Sequence, residues 1–216
     1  MKFTIKNALT LFENSYKNVN IRVEVGRIAG ISPDLGMVGE EIDGENKLLL
    51  PGFFYAHTHS SVMWQRVTMS TLPLVLWLAD LYDFAPLDSD IVYLSALGTV
   101  VETLLSGGTT VVDHLVLIPN QELETVAAAI KAYQEIGIRT VIAPLIQDQS
   151  LGAGIPSGES QQIHEPYFRS TQKTLEIMET VINKYHNPEQ GIYVALAPTG
   201  IQLCSDQLFK GCIELS

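Results

Sequence analysis

The chain has 216 residues, 46% of them hydrophobic and 17% charged, with a formal net charge of −11. That is enough apolar material for one large or two small domains, and it excludes a disordered chain. The acidic balance argues against nucleic acid or an anionic membrane surface as partner, because phosphate binding needs clustered Lys and Arg.

Residues 2–12 alternate apolar and polar, with Phe3, Ile5, Leu9 and Leu11 on one side, and read as a strand. Residues 19–31 (VNIRVEVGRIAGI) read as a hairpin turning at Gly26-Arg27, and residues 40–50 as a further short pairing around Asp43-Gly44. The N-terminal stretch shows no long apolar core of a signal peptide, and LPLVLWLA is too short to span a bilayer. Cytoplasmic localisation is the expectation. So are free thiols at Cys204 and Cys212, which eight-residue spacing on a helix would keep apart.

Within the stretch LLLPGFFYAHTHSS, residues 48–61, Phe53–His59 is read as a buried strand entered through Pro51-Gly52. Residues two apart on a strand share a face, so His57 and His59 would project together. Two imidazoles on one face can hold one divalent metal ion. A catalytic zinc ordinarily takes three protein ligands and a water, so the pair is an incomplete set. Two satisfied polar residues at a strand end are the alternative reading.

Beyond this strand the period becomes helical. Residues 72–84 are expected as a short apolar helix ended by Pro86. Asp88 to Asp90 offer a cap and first-turn acids for a helix over 91–105, and Gly107-Gly108 stop it. The β-branched run 109–117 (TTVVDHLVL) is a strand. Asp113 and His114 near its end are candidates for a supporting role at the metal face. A helix follows Pro119-Asn120 and ends at Gly137. Residues 139–146 form a third strand, and a loop of some 20 residues centred on GAGIPSGES follows, of the length that lids adopt. Residues 167–185 are helical with Leu175, Met178 and Ile182 on one stripe; 192–197 form a fourth strand; 205–215 begin a last helix. His164 in the loop and His186 at a helix end are expected to be solvated. Gln65 and Trp77, downstream of the histidines, are candidate substrate-binding residues. Neither a Gly-x-Ser-x-Gly elbow nor a dinucleotide-binding Gly-x-Gly-x-x-Gly is present.

Strands alternating with helices predict parallel βα units with right-handed crossovers. The fold class expected is α/β: the N-terminal half of a TIM (β/α)8 barrel, four βα units over residues 51–216, preceded by a portion of a β-sandwich over residues 1–50.

PGFFYAHTH, followed by LPLVLWL, by LLSGGTTVVDHLVLIPN and by YHNPEQGIYVALAPTGIQLCSDQL, resembles the amidohydrolase superfamily, in particular its purine deaminase and triazine chlorohydrolase branch, which includes 8-oxoguanine deaminase and hydroxyatrazine aminohydrolase. The resemblance covers essentially the whole chain. It implies a divalent metal, zinc or iron, on His57 and His59, with a fifth-strand histidine and an eighth-strand aspartate completing the site. It implies hydrolysis of a carbon–nitrogen bond in a small heterocyclic substrate by metal-activated water, with ammonia leaving. Counterparts of the fifth-strand histidine, a catalytic glutamate, a sixth-strand histidine and the eighth-strand aspartate are not among these 216 residues. Leu76 stands where relatives often carry an acidic residue, and Thr199-Gly200 where the branch has small polar residues. Three expectations follow: an amidohydrolase-type enzyme represented by its N-terminal half, a non-catalytic truncated half-barrel, or a half-barrel completed by a homo-oligomer or a separate C-terminal half.

Overall fold

The computed structural model describes residues 1–66, 68, 71–74, 77, 88–149 and 169–216. They fall into two compact units, Met1–Gly52 and Phe53–Ser216.

In the first unit, β1 (Lys2–Phe12), β2 (Ser15–Glu24), β3 (Arg27–Ser32) and β4 (Glu40–Asp43) form one sheet in the order β3-β2-β1-β4. β1 and β2 are antiparallel with a register shift between Ile5 and Ala8. Asn7 sits at that shift with φ 56°, and its N–H donates to Asn20 Oδ1 at 2.9 Å, so the side chain of the neighbouring strand replaces the missing ladder bond. Ala8, Val19 and Ile21 form one buried face, Val19 and Ile21 at the two-residue spacing a strand imposes, while Thr4 is buried on the other face, where its hydroxyl donates to Val38 O and accepts from Val38 N–H. The expected pairing around Asp43-Gly44 is different in kind. β4 runs parallel to β1, and Leu48 forms a further parallel bridge to Leu9, so both flanks of the turn pair with β1 and not with each other.

The second unit is built on a parallel sheet, β5 (Phe53–Thr58), β6 (Gly108–Leu115), β7 (Arg139–Ile146) and β8 (Ile192–Val194), with β9 (Ala197–Pro198) also on β7. The expected fourth strand over 192–197 is thus two short strands on β7. Helices α1 (Ser89–Leu105), α2 (Glu122–Ile136), α3 (Thr171–Tyr185) and α4 (Asp206–Leu215) alternate with the strands. The helix ends follow from local chemistry. Asp88, Ser170 and Ser205 cap α1, α3 and α4 by accepting from Ile91, Lys173 and Leu208 N–H groups. Gly137 closes α2 at φ 80° and donates its N–H to Tyr133 O. Val111, Leu115, Val126, Tyr133, Ile142, Met178, Val181, Ile192 and Leu208 form the core between sheet and helices. α1 turns Val92, Ala96 and Val100 inward together with Thr99 and Thr103, whose hydroxyls donate to the carbonyls four residues back.

Three expectations shift. β5 is expected to be buried, but Phe53 and Phe54 are 61% and 71% exposed, because among the described residues β5 is an edge strand paired on one side, with β6. The buried stripe of α3 is Thr174, Met178 and Val181, with Leu175 and Ile182 at its margin. Cys204 lies just before the cap of α4, and both it and Cys212 are buried free thiols. Most of the expected helix 72–84, with Leu76, and nearly all of the loop with His164 lie outside the described residues. Among the described residues no helix is long and apolar enough to cross a membrane.

Candidate metal centre

β5 ends at Thr58, and a 3-10 helix (Ser60–Gln65) begins two residues later, so His57 lies on the strand and His59 at the corner. The two side chains nevertheless converge, with Nε2 of His57 3.2 Å from Nε2 of His59. His59 Nδ1 lies 2.7 Å from the carbonyl oxygen of His114. A carbonyl can only accept, so Nδ1 carries the proton and the Nε2 lone pair of neutral His59 is directed at His57. This is the arrangement a ligating histidine takes, with one ring nitrogen tied to a carbonyl and the other free to bind. Two nitrogens each about 2.0–2.1 Å from one tetrahedral ion stand roughly 3.3 Å apart. The observed spacing fits a shared divalent ion. The set is a pair only: among the described residues no group of three or more His, Cys, Asp or Glu side chains is placed to hold a metal.

β6 supplies the supports, because its register sets Thr58 opposite Asp113. Asp113 is fully buried. Its Oδ1 accepts from the Ser60 N–H at 2.9 Å, and its Oδ2 accepts from Ser60 Oγ at 2.5 Å and from Tyr133 Oη at 2.6 Å. Burial pushes its carboxyl above the usual range, against the pull of those three donors. Burial beside that carboxylate pushes the Tyr133 hydroxyl well up. Ser61 Oγ accepts from the Val116 N–H at 3.1 Å. Residues 59, 60 and 61 are therefore each tied to the end of β6.

His114 takes part through its carbonyl, while its ring lies 4.4 Å from that of His57, centroid to centroid. Burial, and then the charges of His57 and His59, push its pKa down, which favours the neutral ring. Gln65 closes the 3-10 helix at 3% exposure, and Trp77 is half-buried. His186 caps the end of α3, where Nδ1 accepts from Val194 N–H. Thr199 Oγ1 donates to Ile146 O.

The sequence points to the histidines and to Asp113 as candidates, but not to the bonding of Asp113 with Ser60 and Tyr133. Ser60 follows the motif, yet its partner is 53 residues away, and Tyr133 reads as core. The available signal was chemical: a buried tyrosine hydroxyl must find a partner.

A parallel βα sheet with its polar side chains gathered at the C-terminal end of a strand is the layout of barrel hydrolases. The amidohydrolase family profile matches residues 48–216, and the chain belongs to that family. It is 30% identical over 228 residues to a 5-methylthioadenosine/S-adenosylhomocysteine deaminase from Thermoanaerobacter pseudethanolicus, an alignment covering all of this chain and 47% of that protein. Its fold is similar to that of a variant atrazine chlorohydrolase from Arthrobacter aurescens complexed with zinc and atraton, with TM-score 0.83 and 21% identity over 98% of this chain and 50% of the other. It is likewise similar to a guanine deaminase from C. acetobutylicum with bound guanine, with TM-score 0.76 and 19% identity over 100% of this chain and 50% of the other. The chain spans about half the length of the relatives it matches.

Proposed function

We propose that this chain carries the first-strand metal ligands of a hydrolase that removes an amino group from a nitrogen heterocycle of the purine, pyrimidine or triazine kind. Residues 1–50 then belong to a composite β-sandwich, and 51–216 make the first half of the hydrolase barrel. The observation that carries the reading is the 3.2 Å approach of the His57 and His59 Nε2 atoms, with His59 held in the Nδ1–H tautomer. The 5-methylthioadenosine/S-adenosylhomocysteine deaminase similarity supports an adenine-like ring as substrate.

His57 and His59 would hold the ion, zinc being the ion in the chlorohydrolase structure. A divalent ion bound there lowers the pKa of a coordinated water, supplying a nucleophile at neutral pH. The chain's own contribution is orientation. The His114 carbonyl fixes the proton of His59 on Nδ1, and a neutral His114 ring beside His57 keeps positive charge away from a cation site. Gln65 and Trp77 are proposed to face the heterocycle, and Asp113 and His114 to support the ligands.

Titration of the 216-residue chain with cobalt(II) tests the metal assignment. One weakly bound ion, lost in both His57→Ala and His59→Ala, is expected; undiminished binding in either variant would sink it.

One observation favours a second reading, a half-barrel that associates. Phe53, Phe54 and Tyr55 lie exposed along β5, beside a groove of about 390 Å³ also lined by Val62 and Met63. Apolar surface on an open strand edge is a site of pairing with another chain.

A further inference from the structure

The unit of Phe53–Ser216 uses one device twice. At the end of β6, Asp113 takes the N–H of Ser60 on Oδ1 and its hydroxyl on Oδ2, with a second hydroxyl from Tyr133 of α2. Just beyond β7, Asp148 takes the N–H of Ser205 on Oδ1 at 2.7 Å and its hydroxyl on Oδ2 at 2.5 Å, with a second hydroxyl from Thr171 of α3 at 2.6 Å. In each case a buried carboxylate grips both donors of one serine at the start of a helix and anchors itself to a neighbouring helix. The Asp148 clamp fixes the entry to α4. The Asp113 clamp fixes the residue that follows His59.

We infer that Asp113 is a positioning residue for the metal-binding histidines, acting through Ser60, with Tyr133 holding the carboxylate in place. This inference rests on the metal reading above. The geometry is specific about the route. Among the described residues Asp113 bonds to Ser60 and Tyr133 and to neither imidazole; it fixes the backbone N–H and side chain of Ser60. With Ser60 held, the corner at His59 (φ −126°, ψ 77°) sets its ring where Nδ1 meets the His114 carbonyl. The same stretch of β6 thus supplies both the carboxylate that sets the corner and the carbonyl that sets the tautomer. Two bonds to one serine fix its orientation as well as its position, and this defines the direction of the His59 Nε2 lone pair before an ion arrives.

The test compares Asp113→Asn, Ser60→Ala and Tyr133→Phe with Asp148→Asn, which disturbs the matching clamp on Ser205. Cobalt(II) affinity and the nitrogen-resolved NMR signals of the His59 ring, recorded without metal, are the two readouts. Asp113→Asn is expected to weaken cobalt binding by about 10-fold or more and to shift His59 away from a single Nδ1–H tautomer. Ser60→Ala and Tyr133→Phe should do the same to a lesser degree, while Asp148→Asn changes neither readout. Parent-like affinity and tautomer in Asp113→Asn overturn the inference, as does an equal loss in Asp148→Asn, which would mark a general effect of destabilisation. If Asp113→Asn does not fold, Ser60→Ala and Tyr133→Phe decide by the same criteria. Cobalt binding that survives His57→Ala and His59→Ala removes the metal reading alone; the metal-free tautomer comparison then still decides whether Asp113 sets His59.

Discussion

Asp113 and Asp148 bind their serines in the same way, yet their carboxyls move in opposite directions. For Asp113 burial dominates and raises the pKa. For Asp148 burial also acts upward, but the donors on Ser205 and Thr171 outweigh it and the pKa falls below the usual carboxylate value. The signs for stability follow. An acid whose folded pKa is depressed contributes stability above its unfolded pKa, and that contribution is lost as pH falls through the folded pKa. Asp113 works the other way, since ionising it costs stability as pH rises from the ordinary carboxylate range to its folded pKa. A pH curve of the parent mixes the two effects, so a variant must separate them. Asp148→Asn should lower the denaturant midpoint clearly at pH 7 and much less at a pH below the folded pKa of Asp148, where the parent has itself lost the ionised clamp. An equal gap at both pH values would show that ionisation of Asp148 contributes nothing.

At the scale of elements, the ends of the helices are determined by single residues. Gly137 is the sharpest case. Its φ of 80° lies in the left-handed region, and a Cβ placed there would meet nothing within 4 Å. Gly137→Ala therefore isolates backbone strain from crowding, and should lower unfolding free energy by about 1–2 kcal/mol; chemical denaturation with no loss of stability would contradict this. Such local signals explain which elements were legible in the sequence. Gly137, Asp88 and Ser205 act on neighbours within a few residues, so α1, α2 and α4 can be read from spacing and caps, whereas α3 begins at Thr171 behind its Ser170 cap, later than the expected residue 167. β7 was readable for the same reason, being a β-branched, apolar run between two helices. The parallel pairing of β4 with β1 and the division of the fourth strand into β8 and β9 were not, because strand partners across a crossover leave no local mark. The candidate site divides along the same line. The convergence of His57 and His59 follows from i, i+2 geometry, although the strand ends one residue earlier than a simple alternation requires. The clamp on Ser60 does not, because it joins residues 60, 113 and 133 through tertiary contacts alone.

For the whole molecule, the site and the surface must be considered together. Two imidazoles make half of an ordinary catalytic zinc set, and the described residues hold no larger cluster. An ion on two ligands is bound weakly, because each missing ligand removes binding free energy that a preformed site would retain. The 216-residue polypeptide is therefore expected to release no ammonia at enzyme-like rates from 5-methylthioadenosine, guanine or an amino-triazine. Ammonia release that disappears in His57→Ala would refute this. Its association state is a separate measurement with its own expectation. The exposed aromatic edge of β5 favours self-association, so light scattering should give a mass above one chain of 23.8 kDa. Phe54→Lys places a charge on that edge and should return the mass to that of a single chain. A soluble monomer in the parent would show that this edge is tolerated in water, and would leave the convergence of His57 and His59 as the feature of this stretch that needs a functional explanation.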